Sequence, residues 1–468
     1  MSKFNEDRRN NSGAGRYGLS RAQVTYTLPH HLRMNNQPMI DELQAQAKIL
    51  HRAGKANKAA ALHEQVLAAD SKNTQSLTYI GLWHHAFGRA AEAIIFLEQL
   101  VTLQPKAVYA HGKLGACYQI LNQWQQALNC YRQILRLDQN NVDACIHAGV
   151  ALQTLGQTQQ AAAAFSTALQ LRPGLTTVAQ SSTASPQDRN MVSRMMVMAQ
   201  QQIRSLYQQV YEEIGQEIEP KSCKRFLQML EIELGMRAPE YADQRQRPFE
   251  SYMPGLPCQP WFERRDFAWS DALESQSEAL TQEFAQAVDN EVGLRPYVRG
   301  SKGSGDWSNL ADSLQWSSLH LYENGRAQNK ALQRYPKTAS QLEQLPLVNC
   351  AGHCPEAFFS ILRAGTRLPA HFGQANYKLT AHLPLIIPPY CGITVGGETR
   401  NWNPGQCLVF NDSFLHEAWN ESNQDRAVLI FEVWNPHLEQ AEIAAIQMLY
   451  QRLHQWLAGR RQMIMQDG

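Results

Sequence analysis

The feature that most restricts the fold of this chain is a 34-residue repeat in its N-terminal third. Glycines recur at this spacing at positions 81, 115 and 149, and alanines recur at positions 93, 127 and 161. Positions 54, 88, 122 and 156 keep the same step and are Gly, Gly, Asn and Gly. A small residue at a fixed place lets two helices cross closely, and a period of about 20 to 50 residues indicates units that stack on one another. The spacing therefore predicts about four helical pairs over residues 41–174.

This pattern resembles the tetratricopeptide repeat. The best-preserved unit has Leu114 and Gly115 followed by Tyr118 and Ala127, and Pro173 follows the last unit. The resemblance implies a right-handed α-solenoid whose groove binds a peptide or protein. Alternatively, the helices only pack against the rest of the chain. The predicted groove has too few basic or aromatic residues to name a ligand.

The composition changes along the chain indicate further segments. The polar N-terminus lacks the apolar run of a signal peptide and predicts a disordered leader. TTVAQSSTASPQDRN is typical of a linker, and SLYQQVYEEIGQEI has helical periodicity. Short apolar runs separated by Gly, Pro and Asn then favour a β-sandwich or barrel, and the last stretch is again helical. The predicted boundaries are 1–37 for the leader, 175–246 for the linker and helical connector, 247–437 for the β domain and 438–468 for the C-terminal helix.

The overall charge and composition exclude some classes of partner. The 43 basic and 42 acidic residues nearly cancel, which argues against nucleic acid or an anionic membrane as a partner. No run approaches the ~18 apolar residues of a membrane span. The nine cysteines are odd in number and scattered, as expected without a disulfide framework. We therefore expect a cytoplasmic protein.

Two histidines in the β-rich region form the candidate metal site. His371 begins H-F-G, His416 lies in NDSFLHEAW, and Arg426 opens the run RAVLIFEVW. Non-haem Fe(II) oxygenases hold iron with two His and usually one carboxylate, which leaves open positions for a 2-oxo acid and oxygen. The carboxylate of the usual H-x-D motif is replaced here by Gly373, so the pattern predicts a two-His site. Asp412, in N-D-S-F, is expected to cap a turn.

A 2-oxo acid bound to such a site needs partners of its own. Its far carboxylate requires a cation, best supplied by the fork of an arginine, together with a hydroxyl or imidazole donor. Arg426 starts a strand next to the segment that carries His416. Ser360 ends the strand-like EAFFS, and His382 follows His371 in an apparent strand. All three are candidates for binding this co-substrate.

The stretch 358–436 resembles the aspartyl/asparaginyl β-hydroxylase family. The resemblance rests on FFSILRAGTRLPAHFGQANYKLTAHLPLIIP, on CGITVGGETRNWNPGQCLVFNDSFLHEAWNES and on RAVLIFEVWNP. Upstream segments, among them YMPGLPCQPWF and YPKTASQLEQLP, extend it to about residues 250–437. It implies a double-stranded β-helix, that is, a jelly-roll or cupin-like dioxygenase domain, that uses Fe(II), 2-oxoglutarate and O2.

The resemblance also implies roles for single residues. It makes His371 and His416 the iron ligands, with water in the missing carboxylate position. Arg426 and Ser360 would bind the distal carboxylate of 2-oxoglutarate, and His382 its iron-chelating end. Candidate substrate residues complete the set: Lys378, Thr380 and Arg400. The animal enzymes carry Arg at the positions of both Lys378 and Thr380, so this chain keeps only one basic residue there, which puts an aspartyl substrate in doubt.

These observations predict a multidomain α + β protein, with a tetratricopeptide solenoid followed by a jelly-roll dioxygenase domain. The predicted function is hydroxylation of an Asp/Asn-type residue in a peptide or protein, presented with the help of the repeats. Two alternatives remain open. One is hydroxylation of a lipid acyl chain or free amino-acid derivative, and the other is a catalytically dead adaptor.

Overall fold

The computed structural model describes residues 36–217, 222–288, 293–299 and 307–466. The leader predicted for residues 1–37 lies outside this part of the chain, apart from its last two residues. The chain divides into two compact units: one comprises residues up to Gln202 together with Gly459–Gly468, and the other comprises Ile203–Ala458.

Four helical pairs occupy the predicted repeat region. They are α1 (Gln37–Arg52) and α2 (Ala56–Ala69), α3 (Thr74–Ala86) and α4 (Ala90–Leu103), α5 (Val108–Ile120) and α6 (Trp124–Leu137), and α7 (Val142–Thr154) and α8 (Thr158–Leu171). The second residue after the first helix of each pair has a positive φ, which is 75° at Gly54, 73° at Gly88, 57° at Asn122 and 79° at Gly156. Gly and Asn tolerate this left-handed conformation, which ends a helix. The 34-residue period therefore has a conformational cause.

The repeated glycines allow the two helices of a pair to touch. A Cβ atom on Gly115 would lie 2.8 Å from the ring of Tyr131, and one on Gly149 would lie 2.4 Å from the ring of Phe165. Gly81 faces Leu97 in the same way. Any larger residue would push the helices apart, which confirms the predicted close crossing.

Eight further α-helices follow the repeats in the described chain, besides one 3-10 helix at Arg264–Asp266. They are α9 (Leu175–Val178), α10 (Pro186–Glu217), α11 (Lys224–Glu233), α12 (Ser270–Ser275), α13 (Ser277–Val288), α14 (Asn329–Arg334), α15 (Pro336–Leu342) and α16 (Gln440–Met465). Helix α10 begins inside the predicted linker because the Ser185 hydroxyl accepts from the Asp188 amide at 3.0 Å and caps the helix. Within the described residues, no helix combines the length and apolarity that a membrane span requires.

Twelve strands of the described chain form two antiparallel sheets. The strands are β1 (Trp261–Phe262), β2 (Arg295–Pro296), β3 (Trp316–Glu323), β4 (Arg326–Ala327), β5 (Ala357–Leu362), β6 (Thr366–His371), β7 (Lys378–Ile386), β8 (Cys391–Val395), β9 (Glu398–Arg400), β10 (Leu408–Phe410), β11 (His416–Asn420) and β12 (Arg426–Trp434). The large sheet has the order β1-β10-β7-β12-β5-β3-β2, with β4 beside β3, and the small sheet has the order β6-β11-β8-β9. From β5 to β12 the chain passes repeatedly between the sheets, which is compatible with the predicted jelly roll.

Side-chain alternation gives the large sheet two different faces. Leu379, Ala381 and Leu383 of β7 belong to the cluster that α12, α13 and α15 cover. The intervening residues Thr380 and His382 line a cavity on the face toward the small sheet. Because successive side chains of a strand point to opposite faces, one run of sequence builds both the core and the cavity wall.

Candidate active site

The two predicted ligand histidines are cross-strand partners in the small sheet. His371 ends β6 and His416 begins β11, and the two are paired directly in the antiparallel register. Their ring centroids are 4.0 Å apart, with the planes inclined at 50°. Residues opposite each other on neighbouring strands have their side chains close together. The register thus brings together two histidines that are distant in sequence.

Backbone carbonyl groups fix the tautomer of both rings. The Nδ1 atom of His371 lies 2.8 Å from the carbonyl oxygen of Pro369, and that of His416 lies 2.9 Å from the carbonyl oxygen of Phe414. A carbonyl oxygen only accepts, so each Nδ1 carries the proton and each Nε2 keeps its lone pair. Burial, reinforced by the neighbouring His416, lowers the pKa of His371 to about 4, and burial also lowers the pKa of His416. Both rings are therefore uncharged at neutral pH, and each can offer the lone pair of its Nε2 atom to a metal.

A cavity of about 540 Å³ contains both histidines. Asp412 also lines it, and its Oδ2 accepts from the Thr380 hydroxyl at 3.2 Å while its Oδ1 is buried without a hydrogen-bond partner. Burial raises the pKa of Asp412 to about 6. The expected turn cap is provided by its neighbour instead, since the Asn411 side chain accepts from the amide of Ser413 at 3.2 Å. Asp412 is thus a cavity carboxylate, which the sequence reasoning missed.

Arg426 is a buried cation in the same cavity. Arg426 is only 1% exposed, and the described part of the chain supplies no carboxylate within ion-pair distance of its guanidinium. Its Nη1 donates to Ser360 Oγ at 3.4 Å, and its Nε has no partner among the described residues. Burial lowers the pKa of Arg426 to about 10, so it remains charged. A buried charge without a counter-charge is costly, and an anionic ligand would offset that cost.

Two tryptophans position the polar groups around Arg426. Trp316 Nε1 donates to Ser360 Oγ at 3.1 Å, so the serine hydroxyl proton remains available to an acceptor. Trp402 Nε1 donates to His382 Nδ1 at 3.2 Å, which places the proton of this neutral ring on Nε2. The guanidinium of Arg426 stacks over Trp402, 4.6 Å from the ring centroid. Ser360, His382 and Arg426 therefore all present hydrogen-bond donors, as the binding of an anion requires.

Lys378 lies behind the cavity wall. It is 2% exposed, and its ammonium group contacts the Glu432 carboxylate, the Gln374 side-chain oxygen at 2.6 Å and the Cys354 Sγ at 3.8 Å. Although burial opposes the charged form, Glu432 raises the pKa of Lys378 well above its usual value, and Lys378 lowers that of Glu432. The two form a buried ion pair at the edge of the site.

Most of the site residues predicted from the sequence line the cavity, but Arg400 does not. The cavity lining brings together Ser360, His371, Thr380, His382, His416 and Arg426. Arg400 is not part of it, since its guanidinium is 3.0 Å from Glu398 and 3.5 Å from Glu263 and stacks on Trp261. The sequence reasoning did not single out Trp316, which lines the cavity, and Trp402 lies in the buried core, where it also contacts His382 and Arg426. Only the resemblance of the W-N-P segment around Trp402 could have signalled a role.

The donor set suits a divalent metal of the iron type. No group of three or more His, Cys, Asp and Glu side chains is arranged for metal binding in the described residues. The unprotonated Nε2 atoms of His371 and His416 are nitrogen ligands of the kind Fe(II) accepts. The orphaned Oδ1 of Asp412 offers an acceptor for a metal-bound water. These residues fit the predicted centre.

Family models match both the β domain and the repeat region of this chain. The model of the family "Aspartyl/Asparaginyl beta-hydroxylase" matches residues 274–436. Tetratricopeptide repeat models match residues 45–108, 108–141 and 142–174. Among solved structures, this chain is similar to the one titled "Crystal structure of MamA", at 21% identity and a TM-score of 0.28, over 33% of this chain and 91% of that chain.

The names of curated relatives contain the term beta-hydroxylase. The human protein "Aspartyl/asparaginyl beta-hydroxylase" is 31% identical over 208 residues, which cover 44% of this chain and 26% of that protein. The human "Aspartate beta-hydroxylase domain-containing protein 1" is 36% identical over 211 residues, covering 44% of this chain and 52% of that protein. The chain thus spans about a quarter to about half the length of these relatives. The chain contains a domain of the aspartyl/asparaginyl beta-hydroxylase family, matched over residues 274–436, and tetratricopeptide repeats precede it.

Proposed function

We propose that this protein is an Fe(II)- and 2-oxoglutarate-dependent dioxygenase that hydroxylates an Asp/Asn-type residue of a peptide or protein. One observation carries the proposal: a buried arginine without a carboxylate partner shares a cavity with two neutral histidines. The metal and the anion would each use groups that otherwise lack a partner. The names of the relatives support hydroxylation as the reaction.

The chain's own residues would first bind and orient the two small ligands. His371 and His416 would hold iron through Nε2, while their Nδ1–H groups donate to the carbonyl oxygens of Pro369 and Phe414. Arg426 and Ser360 would bind the distal carboxylate of 2-oxoglutarate, and the Nε2–H group of His382 would donate a hydrogen bond to its other carboxylate. When bound, iron with 2-oxoglutarate and O2 supplies the oxidising chemistry that inserts oxygen into a C–H bond.

Burial makes these contacts stronger. Near Arg426, Trp316 lines the cavity and Trp402 stacks against the guanidinium, and these two rings would limit the access of water to the carboxylate site. Charge-assisted hydrogen bonds gain strength where water is excluded. The adaptor alternative does not explain the buried charge of Arg426. In a protein that binds no anion, this charge would only destabilise the fold. The alternative of an acyl-chain or free amino-acid substrate uses the same centre.

The solenoid would contribute to substrate binding. Tetratricopeptide arrays offer an extended surface for a polypeptide. This supports a peptide or protein substrate over a small molecule. We propose that the repeats present the segment to be hydroxylated.

The test is release of succinate by the purified protein with Fe(II), 2-oxoglutarate and O2. Wild-type protein should release it, and His416→Ala should not, because one metal ligand is lost. Arg400→Ala is the matched control, since Arg400 lies outside the cavity. Full turnover by His416→Ala, or no co-binding of Fe(II) and 2-oxoglutarate in calorimetry of the wild type, would refute the proposal.

A further inference from the structure

The cavity has two chemically different ends. Arg426 begins β12 and Glu432 lies six positions later, so they are separated by about 20 Å along an extended strand. Ser360 lies beside Arg426, whereas the backbone amide of Glu356 donates to Glu432 at 3.2 Å. If 2-oxoglutarate occupies the arginine end, the Glu432 end is left for the substrate.

Two carboxylates lie at this second end. Glu356 and Glu432 line it, whereas Asp412 lines the cavity at Gly373, near the histidines, and Arg426 is the only Lys or Arg among the described lining residues. His353 also lines it, but burial lowers the pKa of His353 to about 4 and keeps the ring uncharged. Glu432 is paired with Lys378, and Glu356 lies 3.2 Å from His320. The described walls of this end therefore offer hydrogen-bond acceptors but no free cation.

The nearest lysine is not available to a ligand. Lys378 has three N–H donors, and the side chains of Glu432, Gln374 and Cys354 surround them. The lysine side chain is 2% exposed. To bind a substrate carboxylate it would have to give up a partner inside the protein, and Glu432 would then lose its counter-charge. Such an exchange is unfavourable for a buried pair.

We infer that the substrate end of the cavity selects a neutral carboxamide side chain, that of asparagine, over the carboxylate of aspartate. The inference rests on the proposed function and specifies its substrate. The carboxylate of an aspartate would meet the oxygens of Glu356 and Glu432 without a free cation on the described walls, whereas a carboxamide brings N–H donors for these oxygens. Like-charge contacts are a common basis of discrimination in binding sites.

The experiment compares two peptide pools. The pools have randomised flanks and are identical except for one fixed position, which is Asn in the first and Asp in the second. Wild-type protein is incubated with each pool, Fe(II), 2-oxoglutarate and O2. Mass spectrometry measures the gain of one oxygen, and succinate is measured in the same reactions. We expect the Asn pool to be hydroxylated faster by about tenfold or more.

Each outcome decides a different point. Equal rates, or a faster Asp pool, would overturn the inference. Succinate release with neither pool modified would also overturn it, while the proposed dioxygenase activity would stand. Absence of succinate under every condition would instead contradict the proposed function.

A variant tests the role of the ion pair. Glu432→Gln removes the counter-charge of Lys378, so the ratio of Asp to Asn hydroxylation should rise by about tenfold. Glu398→Gln, which alters a surface partner of Arg400, should leave the ratio unchanged. An unchanged ratio in Glu432→Gln would contradict the inference. The ratio does not depend on the folded fraction, and if that variant fails to fold, the wild-type comparison still decides.

Discussion

The carboxylate of Asp412 occupies the space that a side chain at Gly373 would need. A Cβ atom on Gly373 would lie 2.2 Å from Cγ of Asp412 and 2.3 Å from its Oδ2. The amide of Gly373 donates to the carbonyl oxygen of Asp412 at 2.7 Å, which holds the two backbones together. The usual H-x-D carboxylate is thus excluded sterically at Gly373, and a carboxylate from another segment fills its place.

We expect Gly373→Ala to be destabilising only when Asp412 is present. The added methyl group collides with the carboxylate, and overpacking of this kind costs about 1–3 kcal/mol. In an Asp412→Ala background the same substitution should cost much less. Urea unfolding of the two single variants and the double variant measures the coupling. Additive effects would show that the two residues do not compete for space.

Arg426→Ala should weaken 2-oxoglutarate binding without weakening iron binding measured alone. Loss of a buried charged contact costs about 2–5 kcal/mol, much of it the penalty of an unpaired carboxylate. Calorimetry with each ligand separately tests this, with Arg400→Ala as the control. An equal loss of iron affinity without the co-substrate would show that Arg426 supports the fold instead.

Iron and 2-oxoglutarate should each strengthen binding of the other. Two neutral imidazoles bring no negative charge to the metal, so the carboxylate of 2-oxoglutarate should increase iron affinity by about 5- to 150-fold, the usual range of such couplings. Linkage requires the same factor in both directions. Anaerobic titrations with one ligand held saturating measure it. Independent binding would argue against direct chelation.

Removing one partner of the Lys378–Glu432 pair should be more harmful than removing both. Lys378→Met leaves a buried carboxylate without its counter-charge and should cost about 3–5 kcal/mol of unfolding free energy. Lys378→Met combined with Glu432→Met should recover a large part of this. Chemical denaturation of the single and double variants measures the difference. A double variant less stable than Lys378→Met would disprove the account.

Acid should weaken the solenoid through His63. This residue is 3% exposed, its Nδ1 lies 2.9 Å from Ser76 Oγ, and burial lowers its pKa from 6.5 to about 4. The unfolded chain binds a proton below pH 6.5 and the folded chain only near pH 4, so stability is full above pH 6.5 and is lost as the pH falls toward 4. Unfolding midpoints at pH 7.5 and 5 should differ less in His63→Gln than in the wild type. An identical pH dependence would exclude His63 as a contributor.

Much of the fold could be predicted from local patterns. The 34-residue period gives the helical pairs because the same contacts recur, with Gly115 against Tyr131 and Gly149 against Phe165. The motifs around His371 and His416 gave a family resemblance that predicted the β domain, and the sheet register brings these two histidines together. The α10 boundary was not predicted, because a polar Ser/Thr-rich segment also contains a good N-cap.

The sequence by itself determined the repeat solenoid, the β domain and the histidine pair, since periodicity and motif spacing encode them locally. Only the tertiary structure decided that Asp412 fills the place of a side chain at Gly373, that Glu432 neutralises Lys378 and that Trp402 holds both His382 and Arg426. Each of these contacts joins segments far apart in the chain. They depend on strand register and on which face of a sheet a side chain occupies, and no local pattern specifies that combination.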